Sequence, residues 1–192
     1  MKNWFASDLN FNSLYPKPIQ DAAEKHWTRI EVAKKASAFL AISAEEKVLD
    51  IGSGAGKFCL VAAHEHPLIN FYGVEQRQNL VDLSTELAEK LALHNVVFYC
   101  DNICNIDFEK YDHFYFYNSF YENMPGTQKI DLTIKYSEDL YDFYNRYLYK
   151  QLKKKPAGTR LVTYHSFGRE IPPGYEVVHT DYNEFLKFWM KV

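Results

Sequence analysis

The stretch KVLDIGSGAGKF, residues 47–58, constrains the fold more than any other part of the chain. An apolar run ends in Asp50, glycines follow at positions 52, 54 and 56, and a helical pattern begins at once. A buried strand that turns through glycines into a helix opens a βαβ unit, which demands a crossover and a parallel neighbour strand. The rhythm then repeats. NFYGVE (70–75), VVFYC (96–100), HFYFYN (113–118) and TRLVTY (159–164) read as strands, from their short apolar and aromatic runs. KFCLVAAHEH (57–66), QNLVDLSTELAEKLALHN (78–95) and YSEDLYDFYNRYLYKQLKKK (136–155) read as helices. In the second helix Leu80, Leu83, Leu87 and Leu91 form one stripe, with Asn95 as its C-cap. In the third, Leu140, Tyr144, Leu148 and Leu152 share a face, and Lys153, Lys154 and Lys155 suit the negative end of the helix dipole. YEVVHT (175–180) and EFLKFWMKV (184–192) are too close in sequence for a crossover and read as an antiparallel hairpin. The expected fold is α/β: a doubly wound, mostly parallel seven-stranded sheet with helices on both faces.

Ahead of this core an irregular arm runs to Pro18. Asp21 with Glu24, and Thr28 with Glu31, have capping-box spacing, and Val32, Ala36, Phe39 and Leu40 predict a helix over 28–41. A length of 192 residues suits one domain, with arm and covering helices at 1–44 and the core at 45–192. The net charge of −3 gives bulk electrostatics no reason to draw nucleic acid or a membrane surface. No apolar run approaches the ~20 residues of a bilayer span. The N-terminus lacks a leader pattern, so a cytoplasmic location is expected. Cys59, Cys100 and Cys104 are too few for a disulfide framework and read as buried, reduced thiols, with no metal site expected. His64 and His66 alternate along a helix, so they do not converge and read as solvated. Aromatic residues reach 17% and crowd 111–121 and 136–149, as core rings first and as a ring-lined pocket second.

In a doubly wound sheet the ligand sits beyond the carboxyl ends of the strands, where the glycine loop lies. A nucleoside triphosphate loop requires G-x-x-x-x-G-K-[ST]. Here Ile51 takes the first glycine's place and Phe58 follows Lys57, which removes the magnesium hydroxyl. A dinucleotide loop requires G-x-G-x-x-G. The spacing here is one residue short, and Asp50 would repel a pyrophosphate. S-adenosylmethionine has no phosphate and carries an ammonium and a sulfonium, so Asp50 attracts it. Gly52, Ser53, Gly54 and Gly56 let backbone approach its methionine portion.

At these residues the chain resembles the class I S-adenosylmethionine-dependent methyltransferases, whose first motif is an apolar run followed by D-x-G-x-G-x-G. The resemblance extends over about residues 45–165 and implies further roles. Glu75, ending the second strand, is placed as the acid that accepts the ribose hydroxyls. Gln76 or Arg77 would flank the adenine. Asp101 would receive its amino group, and the backbone N–H of Asn102 would reach its ring. YNSFYEN (117–123) looks like a variant of the Asn-aromatic turns of methyltransferases that act on nitrogen. On that likeness Asn118 orients the acceptor, and Phe120 or Tyr121 forms a wall. Ser119 stands where those motifs carry proline. Glu122 and His165 are the two candidates for a general base. Tyr15 and Trp27 are placed to close over the cofactor. The expected activity is methyl transfer to nitrogen, on a protein lysine or a small-molecule amine. The competing expectation is a protein that binds the cofactor without turnover. The sequence leaves the oligomeric state open.

Overall fold

The computed structural model describes residues 3–21 and 27–192. Strands β1 (Lys47–Ile51), β2 (Asn70–Glu75), β3 (Val96–Cys100), β4 (His113–Phe116), β5 (Arg160–Tyr164), β6 (Tyr175–Asp181) and β7 (Leu186–Lys191) form one sheet in the order 3-2-1-4-5-7-6. The first five run parallel. β7 lies antiparallel between β5 and β6. The reversal of strand order beside β1 and β4 opens a crevice at their carboxyl ends.

Alternation along β1 feeds two cores. Val48 points to the side covered by α3 (Ile30–Leu40), α4 (Lys57–Glu65) and α5 (Gln78–Lys90). Leu49 and Ile51 point to the side covered by α6 (Glu138–Lys154), where Leu148 and Leu152 are fully buried. Before them stand two short arm helices, α1 (Asp8–Asn12) and α2 (Lys17–Asp21). Residues 165–174 join β5 to β6 without a helix, as the short spacing requires. Among the described residues no helix is long and apolar enough to cross a membrane.

Several local expectations are corrected. The Thr28–Glu31 capping box does not form. Arg29 takes the N-cap of α3 without a side-chain bond, and the Thr28 hydroxyl pairs with the Tyr115 hydroxyl at 2.9 Å in the core. At that helix end Asp8 Oδ1 accepts from the Ile30 N–H at 3.0 Å, so the Thr28 hydroxyl is left to the core, where a buried hydroxyl without a partner is costly. The Asp21–Glu24 pair falls partly outside the described residues. Lys155 is buried and donates to the carbonyls of Phe108 and Tyr111 rather than facing its own helix end. His64 is exposed, as expected, while stacking flat on Phe5 at 3.7 Å, whereas His66 is half-buried and bonds to Ser37. All three cysteines are free, but Cys100 is exposed because β3 is an edge strand.

Asn95 does not cap α5, which ends at Lys90. Its amide instead donates to the carbonyls of Ala63, His66 and Ile69 at 3.1, 3.0 and 2.8 Å, closing the end of α4 and the turn into β2. Asn95→Ala strands these buried acceptors and lowers stability by about 2 kcal/mol. Asn95→Asp, which cannot donate, loses a similar amount. Urea unfolding of both variants checks this, and a loss in Ala alone would reject the donor role.

Candidate active site

A cavity of about 700 Å³ opens beyond the carboxyl ends of β1, β2, β4 and β5. Its floor is the glycine loop. The N–H groups of Gly52 and Ser53 both donate to the Val74 carbonyl, at 3.0 and 2.9 Å, which ties the loop to β2. Gly52 has φ +75°, and a Cβ there would meet the Ser119 side chain at 2.3 Å. Gly54 has φ +53°, and a Cβ there would meet nothing within 4 Å. The backbone at Gly54 is therefore bare toward the cavity, as close approach of a ligand requires. Gly56 sits behind it as the N-cap of α4 and is not part of the wall.

Asp50 lines the cavity but is 3% exposed. Burial pushes its carboxyl up to about 8. The Cys59 thiol, which donates to it, opposes the shift, and the charge of Glu75 adds to it. At neutral pH this carboxyl is therefore mostly protonated in the free site, where a standing negative charge was expected.

Glu75 is buried at the end of β2. Its Oε1 accepts from the N–H groups of Gln76 and Arg77 and from Arg77 Nη1, at 2.9, 3.1 and 3.0 Å. Among the described residues its Oε2 accepts only from the Gly54 N–H, at 3.2 Å. Gln76 and Asp101 also line the cavity. Asn102 does not. Its N–H donates to its neighbour's carboxylate, Asp101 Oδ1, and its amide donates to the Tyr144 hydroxyl and to Gln76.

On the acceptor side Asn118 adopts φ +39° and His165 φ +52°, each just past the end of a strand and each in the cavity wall. Left-handed backbone at non-glycine residues stores about 1 kcal/mol or more each, and such residues gather at working sites. The Asn118 carbonyl accepts from the Tyr121 N–H at 2.9 Å. Its side-chain amide has no hydrogen-bond partner among the described residues. Ser119, standing in place of proline, donates to the Ile51 carbonyl and so rivets the acceptor turn to the glycine loop. Phe120 is buried against Phe116 and Tyr144, whereas Tyr121 is exposed beside Phe167.

Glu122, expected as a base, is fully engaged. Oε2 pairs with Arg77 at 2.6 Å and Oε1 accepts from the Ile130 N–H at 2.6 Å. His165 is hemmed in by Tyr164, Phe185 and Tyr117. Burial first, then the positive charge of Arg29, lowers its pKa, so the imidazole is neutral at pH 7. Burial pushes the Tyr117 phenol up to about 12.

The partners of two buried cations went unread in the sequence. Arg77, offered beside the adenine by resemblance, lines the cavity and binds Glu75, Glu122, Asp131 and the Tyr136 hydroxyl. Lys57 is bonded to Asp8 and Asn12 of α1 beneath the Trp27 ring. Tyr15 donates to the Ala55 carbonyl at 2.9 Å and packs on Trp27, which forms part of the wall. The arm thus lies against the glycine loop. Apart from Glu75 beside Arg77, these hydrogen-bonded partners are 40 or more residues apart, and no local spacing announces them.

The bare backbone at Gly54 and the buried Asp50 carboxyl fit a cationic, phosphate-free cofactor. Residues 42–170 match the family described as Methyltransferase domain. A tRNA (guanine-N(7)-)-methyltransferase of Synechocystis is 33% identical over 130 residues, 68% of this chain and 53% of that protein. Another, of Aquifex aeolicus, is 30% identical over 141 residues, 73% of this chain and 40% of that protein. The chain therefore spans about half the length, or less, of these relatives. An RNA methyltransferase of Salinibacter ruber, solved with S-adenosyl-L-homocysteine, superposes with a TM-score of 0.58 at 17% identity, covering 92% of this chain and 91% of that one. That likeness establishes shared fold. Taken with the family match and the site, it places the chain in the class I S-adenosylmethionine-dependent methyltransferases.

Proposed function

We propose that the chain methylates a ring nitrogen of guanine in RNA. The relatives' names support this, against the expectation that net charge had set. The observation that carries it is the engagement of Glu122: both oxygens are taken, so the acceptor turn holds no free carboxylate base. A lysine ammonium must lose a proton before it can accept a methyl group, with an unperturbed pKa of about 10.4. Guanine N7 already presents a lone pair as an acceptor. It needs orientation rather than deprotonation, and that is what the Asn118 amide and the surrounding rings offer. When bound, S-adenosylmethionine supplies a methyl group on a cationic sulfur. Asp50, Gly54, Glu75 and Asp101 would hold it, and Asn118, Tyr117 and Tyr121 would hold the base. A second reading, a protein lysine whose proton passes to His165, is favoured by that neutral imidazole.

Incubation with labelled cofactor, tRNA and a protein extract tests the two. Label is expected in RNA and, after nuclease digestion, in 7-methylguanine. Label confined to lysine would reject the proposal. The end of α6, with Lys153 and Lys154, lies by the start of β5 and so at the opposite edge of the sheet from the cleft. Few phosphate contacts are expected from this chain. Binding to unmodified tRNA should fall with salt at a log–log slope of about −2 or shallower.

A further inference from the structure

We propose that Arg77 is a positioning residue that couples the cofactor half of the site to the acceptor half. The inference rests on the cofactor assignment above but not on the identity of the acceptor. Arg77 follows β2 and is 4% exposed. Its Nη1 reaches Glu75 at 3.0 Å, its Nη2 reaches Glu122 at 2.6 Å and the Tyr136 hydroxyl at 2.7 Å, and its Nε reaches Asp131 at 3.3 Å. One guanidinium therefore joins the acid at the end of β2, the turn after β4 and the stretch before α6.

That stretch, residues 124–137, has neither helix nor strand. It nonetheless supplies Ile130, Ile134 and Tyr136 to the cavity wall. Its second half is tied by the Arg77 bonds to Asp131 and Tyr136 and by Glu122, which holds the Ile130 N–H, and its first half by Thr127 and Lys129, which donate to the carbonyls of Tyr121 and Glu122. An irregular wall of this kind has little stability of its own and takes its order from such attachments. Arg77 also occupies Glu75 Oε1, which leaves Oε2, bonded to the Gly54 N–H alone among the described residues, as the atom with room for a ligand. A ligand that takes Oε2 fixes the Glu75 carboxylate, and through the planar fork fixes the wall. By linkage, ordering the wall must in turn tighten the ligand. Lysine keeps the charge but has no fork with which to hold four groups at once.

The test is hydrogen exchange across the whole chain with and without S-adenosylhomocysteine, alongside calorimetric affinity, in the wild type, Arg77→Lys and Asp131→Asn. Asp131 lies on the far side of the clasp from Glu75, so Asp131→Asn loosens the wall without touching the cofactor acid. In the wild type, the ligand is expected to slow exchange in both the glycine loop and 124–137, the latter by about tenfold. In both variants the protection of 124–137 should drop below about twofold while the glycine loop stays protected, and Arg77→Lys should weaken affinity by about tenfold. Protection of the glycine loop with none at 124–137 in the wild type overturns the coupling alone. Variants that keep wild-type protection and affinity overturn it too, as does a uniform rise in exchange throughout the chain. No protection of the glycine loop in the wild type overturns the cofactor assignment, and the coupling with it.

Discussion

Asp50→Asn is expected to make the free protein more stable at pH 8 while weakening its hold on S-adenosylmethionine by about 100-fold, roughly 2.7 kcal/mol. Both effects come from one buried carboxyl whose pKa is pushed up to about 8, by burial above all. Its unfolded value lies near 4, so between those limits the native state keeps a proton that the unfolded chain releases. Stability is fully present below about pH 4, falls as pH rises, and levels off once the folded group has ionised near pH 8. From pH 6 to 8 the loss amounts to as much as about 2.7 kcal/mol, a slope that Asn cannot show. The opposite consequence appears on binding. A cation beside this group favours the carboxylate, and a charge-assisted contact of this kind is stronger than a neutral one. Cofactor binding should thus expel about one proton at pH 7, a count obtained from calorimetry in buffers of different ionisation enthalpy. The variant should release none. A variant that binds as tightly as the wild type would remove the electrostatic basis of the cofactor assignment. One that binds weakly but keeps the wild-type pH slope of stability would move the titrating group elsewhere.

What the sequence made legible was local. The glycine loop was readable because its conformation is imposed within a few residues: Gly52, Gly54 and Gly56 all take positive φ, and a helix must follow. Each strand from β1 to β7 was readable from its own apolar run, and the alternation with helices implied a mostly parallel sheet. What stayed hidden was pairing over distance. Asn95 looks like a cap for α5, yet it serves α4 and the turn into β2, 26 to 32 residues back. Thr28 looks like a cap and is a core hydroxyl, bonded 87 residues away. Glu122 looks like a free base until Arg77, 45 residues earlier, is seen to hold it. Asp50 was found as an acid in the right place, but its protonation is set by burial, which no spacing reports. The departures from local expectation gather around the cavity, where charge is buried and backbone is strained, as is usual where function competes with stability.

Asn118 is where the second large effect is expected, and two substitutions separate its two duties. Its backbone holds φ +39° and so keeps the turn that places Ser119 against the glycine loop. Its amide is unbonded among the described residues, and the residue lines the cavity. Asn118→Gly retains the backbone freedom and removes only the amide. Turnover should fall about 100-fold, roughly 2.7 kcal/mol, in line with losing one preorganised contact to the reacting group. Cofactor affinity should stay within about twofold, since no part of the cofactor half depends on that amide. Asn118→Ala removes the amide and also leaves the left-handed backbone to a residue that tolerates it less well than Asn, at an added cost of about 1 kcal/mol. The turn should relax and loosen its bond to the Ile51 carbonyl. Cofactor affinity should then drop together with turnover, and the melting temperature should drop as well. Rapid-quench single-turnover rates and calorimetry on both variants measure the split. If Gly turns over like the wild type, the amide does not orient the acceptor, and the aromatic wall alone must do so. If Gly and Ala lose turnover and affinity to the same extent, Asn118 serves the turn and not the chemistry. Only loss of turnover without loss of binding in Gly, with loss of both in Ala, assigns the orienting role to the side chain.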